Sequence, residues 1–256
     1  MSEFRVELRA GGDGTASLHW GEQLVDATAL QKAISLAADD GILGHNLRRI
    51  TAEVPASDRW ARMALHHAGF RREGTLRERI AHPDGRYEDA LLYARLAADV
   101  VHGPVGFSSI MDSVLPTKRV IAHALFRNLG GEVLLLETNY KPDWELPGGV
   151  VEPGEPPRLG AEREILEEIG LKVKVGEPAL VDWMPPYLGW SDAVEFIFDG
   201  GVLGDHQVSS IGVADGEIRH LHWVTREDVA NHVTELAARR ILKILDGHTG
   251  HTENGF

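Results

Sequence analysis

Three glutamates could act together as ligands, because their spacing brings their side chains to one face of a helix. Glu164, Glu167 and Glu168 lie at positions i, i+3 and i+4 of a segment with the apolar pattern of a helix. Residues at that spacing share one helix face, so the three carboxylates would point the same way. Carboxylate oxygens are the ligands that hard cations such as Mg²⁺ and Mn²⁺ prefer. The spacing therefore predicts a divalent-cation site, with a solvated acidic face as the alternative.

The residues around this acidic face have types that would support it. We expect a helix over about residues 156–169, in which Arg163 can reach Glu167 one turn further on and orient it. Gly148 and Gly149 let the preceding loop turn tightly, which brings backbone atoms close to a metal ion or a phosphate. Three aliphatic residues are predicted to face the core on the opposite side, namely Ile165, Leu166 and Ile169.

A longer pattern includes these residues, G-x5-E-x7-R-E-U-x-E-E-x-G-U, where U is aliphatic. Its positions are filled by Gly149, Glu155, Arg163, Glu164, Ile165, Glu167, Glu168, Gly170 and Leu171. With this pattern, residues from about 117 to 247 resemble the Nudix hydrolase family. The resemblance implies an α/β fold, an α/β/α sandwich around a mixed sheet. It also implies attack by water on a diphosphate linkage in a nucleoside diphosphate joined to another group, with Mg²⁺ or Mn²⁺ as cofactor.

The resemblance also implies roles for individual residues. Glu167 and Glu168 would be metal ligands, Glu164 a ligand or the general base, and Gly148 would offer its carbonyl oxygen. Arg163 would support catalysis by holding these groups, together with Glu155.

Two further groups of residues are candidates for the site. Many members of the family add a carboxylate from a later loop, and Glu217 is the first candidate here, ahead of Glu195, which lies in an apolar strand. The pattern from Gly149 to Leu171, with Gly148 before it, is called the box below. An aromatic-rich segment follows the box, and ring faces stack on nucleobases with little sequence demand. We expect at least one of its rings to bind the substrate, the candidates being Trp183, Tyr187 and Trp190.

The amino-acid composition limits the classes of molecule that this chain is expected to bind. The 256 residues carry a formal net charge of −13 and contain no cysteine. An acidic chain is a poor counterion for nucleic acid, so we expect a small nucleotide-type substrate and no nucleic acid. The sequence shows neither a secretory signal nor an apolar run of about 18 residues, so we expect no membrane association and a cytoplasmic location. The absence of cysteine excludes thiolate metal sites and cysteine nucleophiles.

The chain is expected to form two domains. We place an accessory domain at 1–100, a linker without regular structure at 101–118, the Nudix domain at 119–247 and a disordered tail at 248–256. In the first domain we expect strands at 4–8, 48–54, 70–80 and 86–96 and a helix at 28–38. A second helix should start with Ser57 as its N-cap, and the side chains expected to be buried on it are Trp60, Met63, Ala64 and Ala68.

Segments 49–54, 60–72 and 86–96 resemble the C-terminal half of a GNAT acetyltransferase. Residues Gly21–Ala27 depart from that family, because they lack the glycine spacing that holds the CoA diphosphate and include two acids, Glu22 and Asp26. We therefore expect a partial GNAT-like α/β domain that helps to form a homodimer. For the whole chain, the alternative to a hydrolase is a sensor that binds a nucleotide or CoA-type ligand without turnover.

Overall fold

A computed structural model describes residues 5–21, 26–213 and 216–256 of the chain. The chain divides into two units, Met1–Pro116 and Thr117–Phe256, and each is built around its own mixed sheet. Within the described ranges, no helix combines the length and the hydropathy needed to span a membrane.

Among its described residues, the first unit contains five strands in the order β1-β2-β3-β5-β4. The strands are β1 (Val6–Ala10), β2 (Thr15–Trp20), β3 (Arg49–Pro55), β4 (Arg71–Ala81) and β5 (Tyr87–Leu96). The helices are α1 (Ala27–Asp39), which continues as a π-helical turn over Asp40–Gly44, α2 (Arg59–His67) and α3 (Gly103–Val114). Strands β1, β3, β4 and β5 and the first helix lie within a residue or two of the predicted ranges, whereas β2 was not predicted. Phe4, the first residue of the strand predicted at 4–8, is outside the described residues.

Helix α2 differs from the sequence prediction in its register. Asp58, and not Ser57, caps it, because the Asp58 carboxylate accepts a hydrogen bond of 2.9 Å from the Ala61 amide. Each residue advances the helix by about 100°, and the buried face is centred on Ala61, Ala64, Leu65 and Ala68, about one residue round from the predicted one. The prediction that Trp60 and Met63 are buried is therefore wrong: they are 53% and 41% exposed. The residues of the helix that are buried are Ala61, Ala64 and Leu65.

The prediction that residues 101–118 form a linker without regular structure is wrong, because most of this segment forms helix α3. Pro104 lies in the first turn, where its missing N–H breaks no helical hydrogen bond. Ser108 donates its hydroxyl hydrogen bond to the Pro104 carbonyl, so this polar side chain does not compete with the helix. Gly106 is buried, and a Cβ there would collide with the backbone of Val101. Glycine, proline and serine, which favour an irregular segment, thus each have a place in this helix.

The second unit has seven strands, in the order β11-β7-β6-β10-β9-β12 with β8 paired to β6. The strands are β6 (Arg119–Arg127), β7 (Val133–Thr138), β8 (Gly148–Val150), β9 (Pro178–Met184), β10 (Ala193–Val202), β11 (Ile218–Val224) and β12 (Gly250–Glu253). The helices are α4 (Pro157–Ile169), α5 (Asp205–Ser210), α6 (Val229–His232) and α7 (Glu235–Leu245). Helices α4 and α7 contribute to two separate apolar clusters of this sheet. The expected α/β/α fold with a mixed sheet is confirmed.

The predicted disordered tail at 248–256 is also wrong. Strand β12 pairs in parallel with β9, and Thr252 is buried. Its hydroxyl donates to the carboxylate of Asp182 at 2.6 Å, and the Gly255 amide donates to the same oxygen at 2.9 Å. A fully buried carboxylate needs such donors, and Asp182 lies about 70 residues earlier in the chain. The polar composition of the tail does not reveal this distant acceptor.

Candidate active site

The loop before α4 is inserted into a split in the second sheet. Strands β6 and β7 pair only at Arg127 and Val133. Beyond that pair the segment 145–150 lies between them. It bonds to β7 through Leu136 and Glu145 and to β6 through β8, where Gly148 faces His123 and Gly149 faces Ala122. The split therefore places the two glycines of the box within the sheet.

Both glycines lie where a side chain would not fit. Gly148 has a φ of +131°, and a Cβ there would collide with the Ala122 carbonyl oxygen. At Gly149 a Cβ would lie 2.9 Å from the carboxyl carbon of Glu164. The Gly149 position thus allows the loop backbone to approach the first of the three glutamates, while an approach to a metal ion or a phosphate stays a prediction.

Helix α4 carries the acidic face. Ile165 and Ile169 are buried, and Gly170, with a φ of +69°, ends the helix in the left-handed conformation. The expectation that Leu166 also faces the core is wrong, because its side chain is 48% exposed. Leu166 follows Ile165 by about 100° around the helix and so points away from the sheet.

Arg163 binds three carboxylates at once. It makes two hydrogen bonds to Glu155, of 3.1 and 3.0 Å, one of 3.0 Å to Glu164 and the predicted one to Glu167 at 3.1 Å. The hydrogen bonds from Arg163 lower the pKa of Glu155, and those carboxylates raise the pKa of Arg163, the bond to Glu155 contributing most. Arg163 therefore holds the acidic face in place and offsets its mutual repulsion.

Glu168 has a different environment. Its carboxylate accepts a hydrogen bond of 2.8 Å from the Gly148 amide. Burial raises its pKa to about 7, and the charges of Glu145 and Glu164 act in the same direction. Burial thus disfavours the charged form of Glu168, and a cation close by would favour it.

The donor set fits a hard divalent cation, although these side chains do not surround a single point. Glu164 and Glu167 turn towards Arg163, while Glu168 turns towards Gly148. Over the part of the chain that the structure describes, no three acidic or imidazole groups are close enough to share an ion. The donors are nevertheless all oxygens, which Mg²⁺ and Mn²⁺ prefer. Burial also raises the pKa of Glu168. A bound cation would offset this cost of burying a charged carboxylate.

A second cluster lies next to Glu168 and was missed from the sequence. The Tyr140 hydroxyl donates to Glu145 at 2.6 Å, and Lys141 is ion-paired with Glu145. Burial raises the pKa of Tyr140, and the charges of Glu145, Glu217 and Glu168 raise it further. Glu217 lies beside the end of β7, where its carbonyl accepts a hydrogen bond of 2.9 Å from the Asn139 amide, and its role as a ligand stays a prediction. The position of Glu145 just before Leu146, Pro147 and the two glycines was the available signal.

The three aromatic candidates have different surroundings. Trp183 is partly buried, and its indole N–H donates to Asp192 at 3.2 Å. Tyr187 and Trp190 are 65% and 62% exposed and are joined by two backbone hydrogen bonds across a tight turn. The guanidinium of Arg119 lies 4.6 Å from the centre of the Trp190 ring. Tyr187 and Trp190 thus offer exposed ring surface, whereas Trp183 anchors the segment.

Comparisons with known proteins show the family of the chain. The family model described as NUDIX domain matches residues 117–244, half of the chain, and the chain belongs to this family. The MutT-like protein of Streptomyces ambofaciens is 33% identical over 129 residues, which are 48% of this chain and 75% of that relative. A solved MutT protein from Methanosarcina mazei Go1 is 27% identical and covers 53% of this chain and 97% of its own, with a TM-score of 0.44.

The first unit has neighbours of a different kind. The structure of ribosomal-protein-S5-alanine acetyltransferase from Vibrio fischeri is 18% identical and covers 37% of this chain and 54% of its own, with a TM-score of 0.33. The chain therefore spans about half the length of that acetyltransferase.

Proposed function

We propose that the second unit is a pyrophosphohydrolase that cleaves a diphosphate linkage in a nucleoside diphosphate joined to a further group, with Mg²⁺ or Mn²⁺. The observation that carries the proposal is the pairing of the Gly148–Gly149 loop with the acidic face of α4. Glu164 is in close contact with Gly149, and Glu168 accepts from Gly148. Nucleoside triphosphates, ADP-ribose and nucleotide sugars are the substrate classes to be tested.

The groups that would hold the cation are the carbonyl of Gly148 and the carboxylates of Glu164, Glu167 and Glu168, with Glu217 as a further ligand. When bound, the cation supplies charge neutralisation for phosphoryl oxygens and lowers the pKa of water.

The remaining chemistry belongs to the chain itself. Arg163 keeps Glu164 and Glu167 oriented through its hydrogen bonds, so fewer rotamers are lost when the substrate arrives. Glu164 acts as a ligand or as the general base that takes a proton from the attacking water. Trp190 and Tyr187 are proposed to stack on the nucleobase, and Trp183 to hold their segment through Asp192.

A substrate panel tests this proposal. The full chain is incubated with nucleoside triphosphates, ADP-ribose, nucleotide sugars, dinucleoside polyphosphates and CoA, each with Mg²⁺, with Mn²⁺ or with a chelator. Phosphate-containing products are separated by ion-exchange chromatography. Cation-dependent cleavage of a diphosphate bond is the expected result. A ligand that raises the melting temperature without being cleaved would instead favour the non-turnover sensor.

A further inference from the structure

A buried network of charges crosses the second sheet beside the proposed site. Asp182 on β9 and Glu195 on β10 are cross-strand partners, and both are buried. Two like charges directly opposite each other destabilise a sheet. Arg240 of α7 relieves this repulsion, because it lies 3.5 Å from Asp182 and is ion-paired with Glu195.

His123 continues this network towards the box. Its Nδ1 atom lies 2.9 Å from Glu195, and its side chain is only 13% exposed. Burial alone would lower the pKa of His123, but the hydrogen bond and charge of Glu195, together with the charge of Glu145, raise it. The network thus joins two buried acids, Asp182 and Glu195, to the guanidinium of Arg240 and the imidazole of His123, and buried acids require such partners.

The other side of the His123 ring faces the box. His123 is the register partner of Gly148, and its Cδ2 atom lies 3.0 Å from the position that a Gly148 Cβ would take. Gly148 in turn donates its amide to Glu168. The charge of His123 also lowers the pKa of Glu168, against the effect of burial. The ring thus lies between Glu195 and the groups proposed to hold the cation.

We propose that His123 is a positioning residue: held by Glu195, its ring fixes the Gly148 backbone and so the orientation of Glu168 for a divalent cation. The proposal rests on the proposed function, because it assumes that Glu168 and Gly148 hold the cation. Stability alone gives little reason for four buried ionisable groups, since well-packed apolar residues often serve as well or better. Partners behind metal ligands typically change metal affinity or activity by about 10- to 100-fold when they are mutated.

The test compares His123→Asn, His123→Leu and wild type in the full chain. The asparagine variant keeps a donor for Glu195 but removes the ring from Gly148, whereas the leucine variant removes both. The matched control is His66→Leu, which removes a partly buried histidine from the first unit, where it contacts Tyr93 at 3.2 Å. The Mn²⁺ dissociation constant is measured without substrate, from the electron paramagnetic resonance signal of free Mn²⁺. Melting temperatures in chelator, kcat and KM are measured in parallel.

Both His123 variants should bind Mn²⁺ about 10- to 100-fold more weakly than wild type, and kcat should fall while KM changes by less than about twofold. The His66 variant should bind Mn²⁺ like wild type. The asparagine variant should have a melting temperature in chelator close to that of wild type, so that weaker Mn²⁺ binding cannot be ascribed to loss of the fold. If the leucine variant does not fold, the asparagine variant alone decides the test. Wild-type Mn²⁺ affinity in a folded His123 variant would overturn the proposal. Wild-type protein that binds Mn²⁺ but cleaves no substrate would refute the proposed function and leave the positioning test valid. If wild type does not bind Mn²⁺, both proposals fail.

Discussion

Replacement of Glu168 by glutamine should make the metal-free second unit more stable while removing its response to cations. Glutamine has the same shape and keeps an oxygen for the 2.8 Å hydrogen bond from Gly148, so the change removes only the charge. In the wild type, burial raises the pKa of this carboxyl from 4.5 to about 7. The ionised form therefore opposes folding when no cation is present.

The size and the pH range of the effect follow from that pKa. Below about pH 4.5 the carboxyl is protonated in the folded and unfolded states, so it costs nothing. Between pH 4.5 and 7 the unfolded state loses its proton first, and the wild type loses stability as the pH rises. Above about pH 7 the full difference of about 3 kcal/mol is reached, at 1.36 kcal/mol per pH unit. For a unit of this size that corresponds to roughly 6–12 °C in melting temperature.

The assay is thermal and urea unfolding at about pH 5 and pH 8 in chelator, followed by titration with Mg²⁺ or Mn²⁺. Glu167→Gln is the matched control, because Glu167 lies on the same helix but its side chain is 59% exposed. The control should change stability by less than about 1 kcal/mol, although both variants should lose turnover by orders of magnitude. Cations should stabilise the wild type by mass action and Glu168→Gln much less. Equal stability of wild type and Glu168→Gln at pH 8 in chelator would refute the reasoning.

Four other outcomes are expected. Hydrolysis should need an added divalent cation and should increase towards alkaline pH, because the attacking water must lose a proton; full activity after exhaustive chelation would contradict this. Trp190→Ala should raise KM by about 5- to 100-fold, as loss of base stacking does, and leave kcat nearly unchanged, whereas Leu188→Ala in the same turn should have little effect; steady-state kinetics decides it. The first unit should bind acetyl-CoA weakly or not at all, because Gly21–Ala27 lacks the glycines that let backbone amides approach a diphosphate; a micromolar dissociation constant by calorimetry would show that the loop is misread. Light scattering should give a dimer for the full chain and a monomer for a chain that starts at Thr117, and monomers in both cases would remove the assembly role of the first unit.

The box could be predicted from the sequence because all its parts are local. Helical spacing alone brings Glu164, Glu167 and Glu168 to one face, and the contact between Arg163 and Glu167 follows from one turn of helix. The loop Gly21–Ala27 remains a sequence argument only, since residues 22–25 are outside the described part of the chain. The homodimer and the cytoplasmic location also stay predictions.

The rest of the site depends on strand pairing, which the local pattern does not encode. His123 and Glu195 are 72 residues apart, and Glu195 and Arg240 are 45 apart. They meet because β6, β9 and β10 are neighbours, and a single buried acid in an apolar strand reveals no partner. Strand β12 was missed for the same reason, since its donors satisfy Asp182 from a distant part of the chain.

The glutamates of the box differ in whether a cationic side chain neutralises them. The second unit contains 23 acidic and 13 basic residues, so acids on one helix face repel in an already negative surrounding. Arg163 offsets this for Glu155, Glu164 and Glu167. Among the described residues, no lysine, arginine or histidine nitrogen forms an ion pair with Glu168 within 4.0 Å. Because Arg163 cannot be displaced without freeing three charges, a cation gains most by approaching Glu168 first.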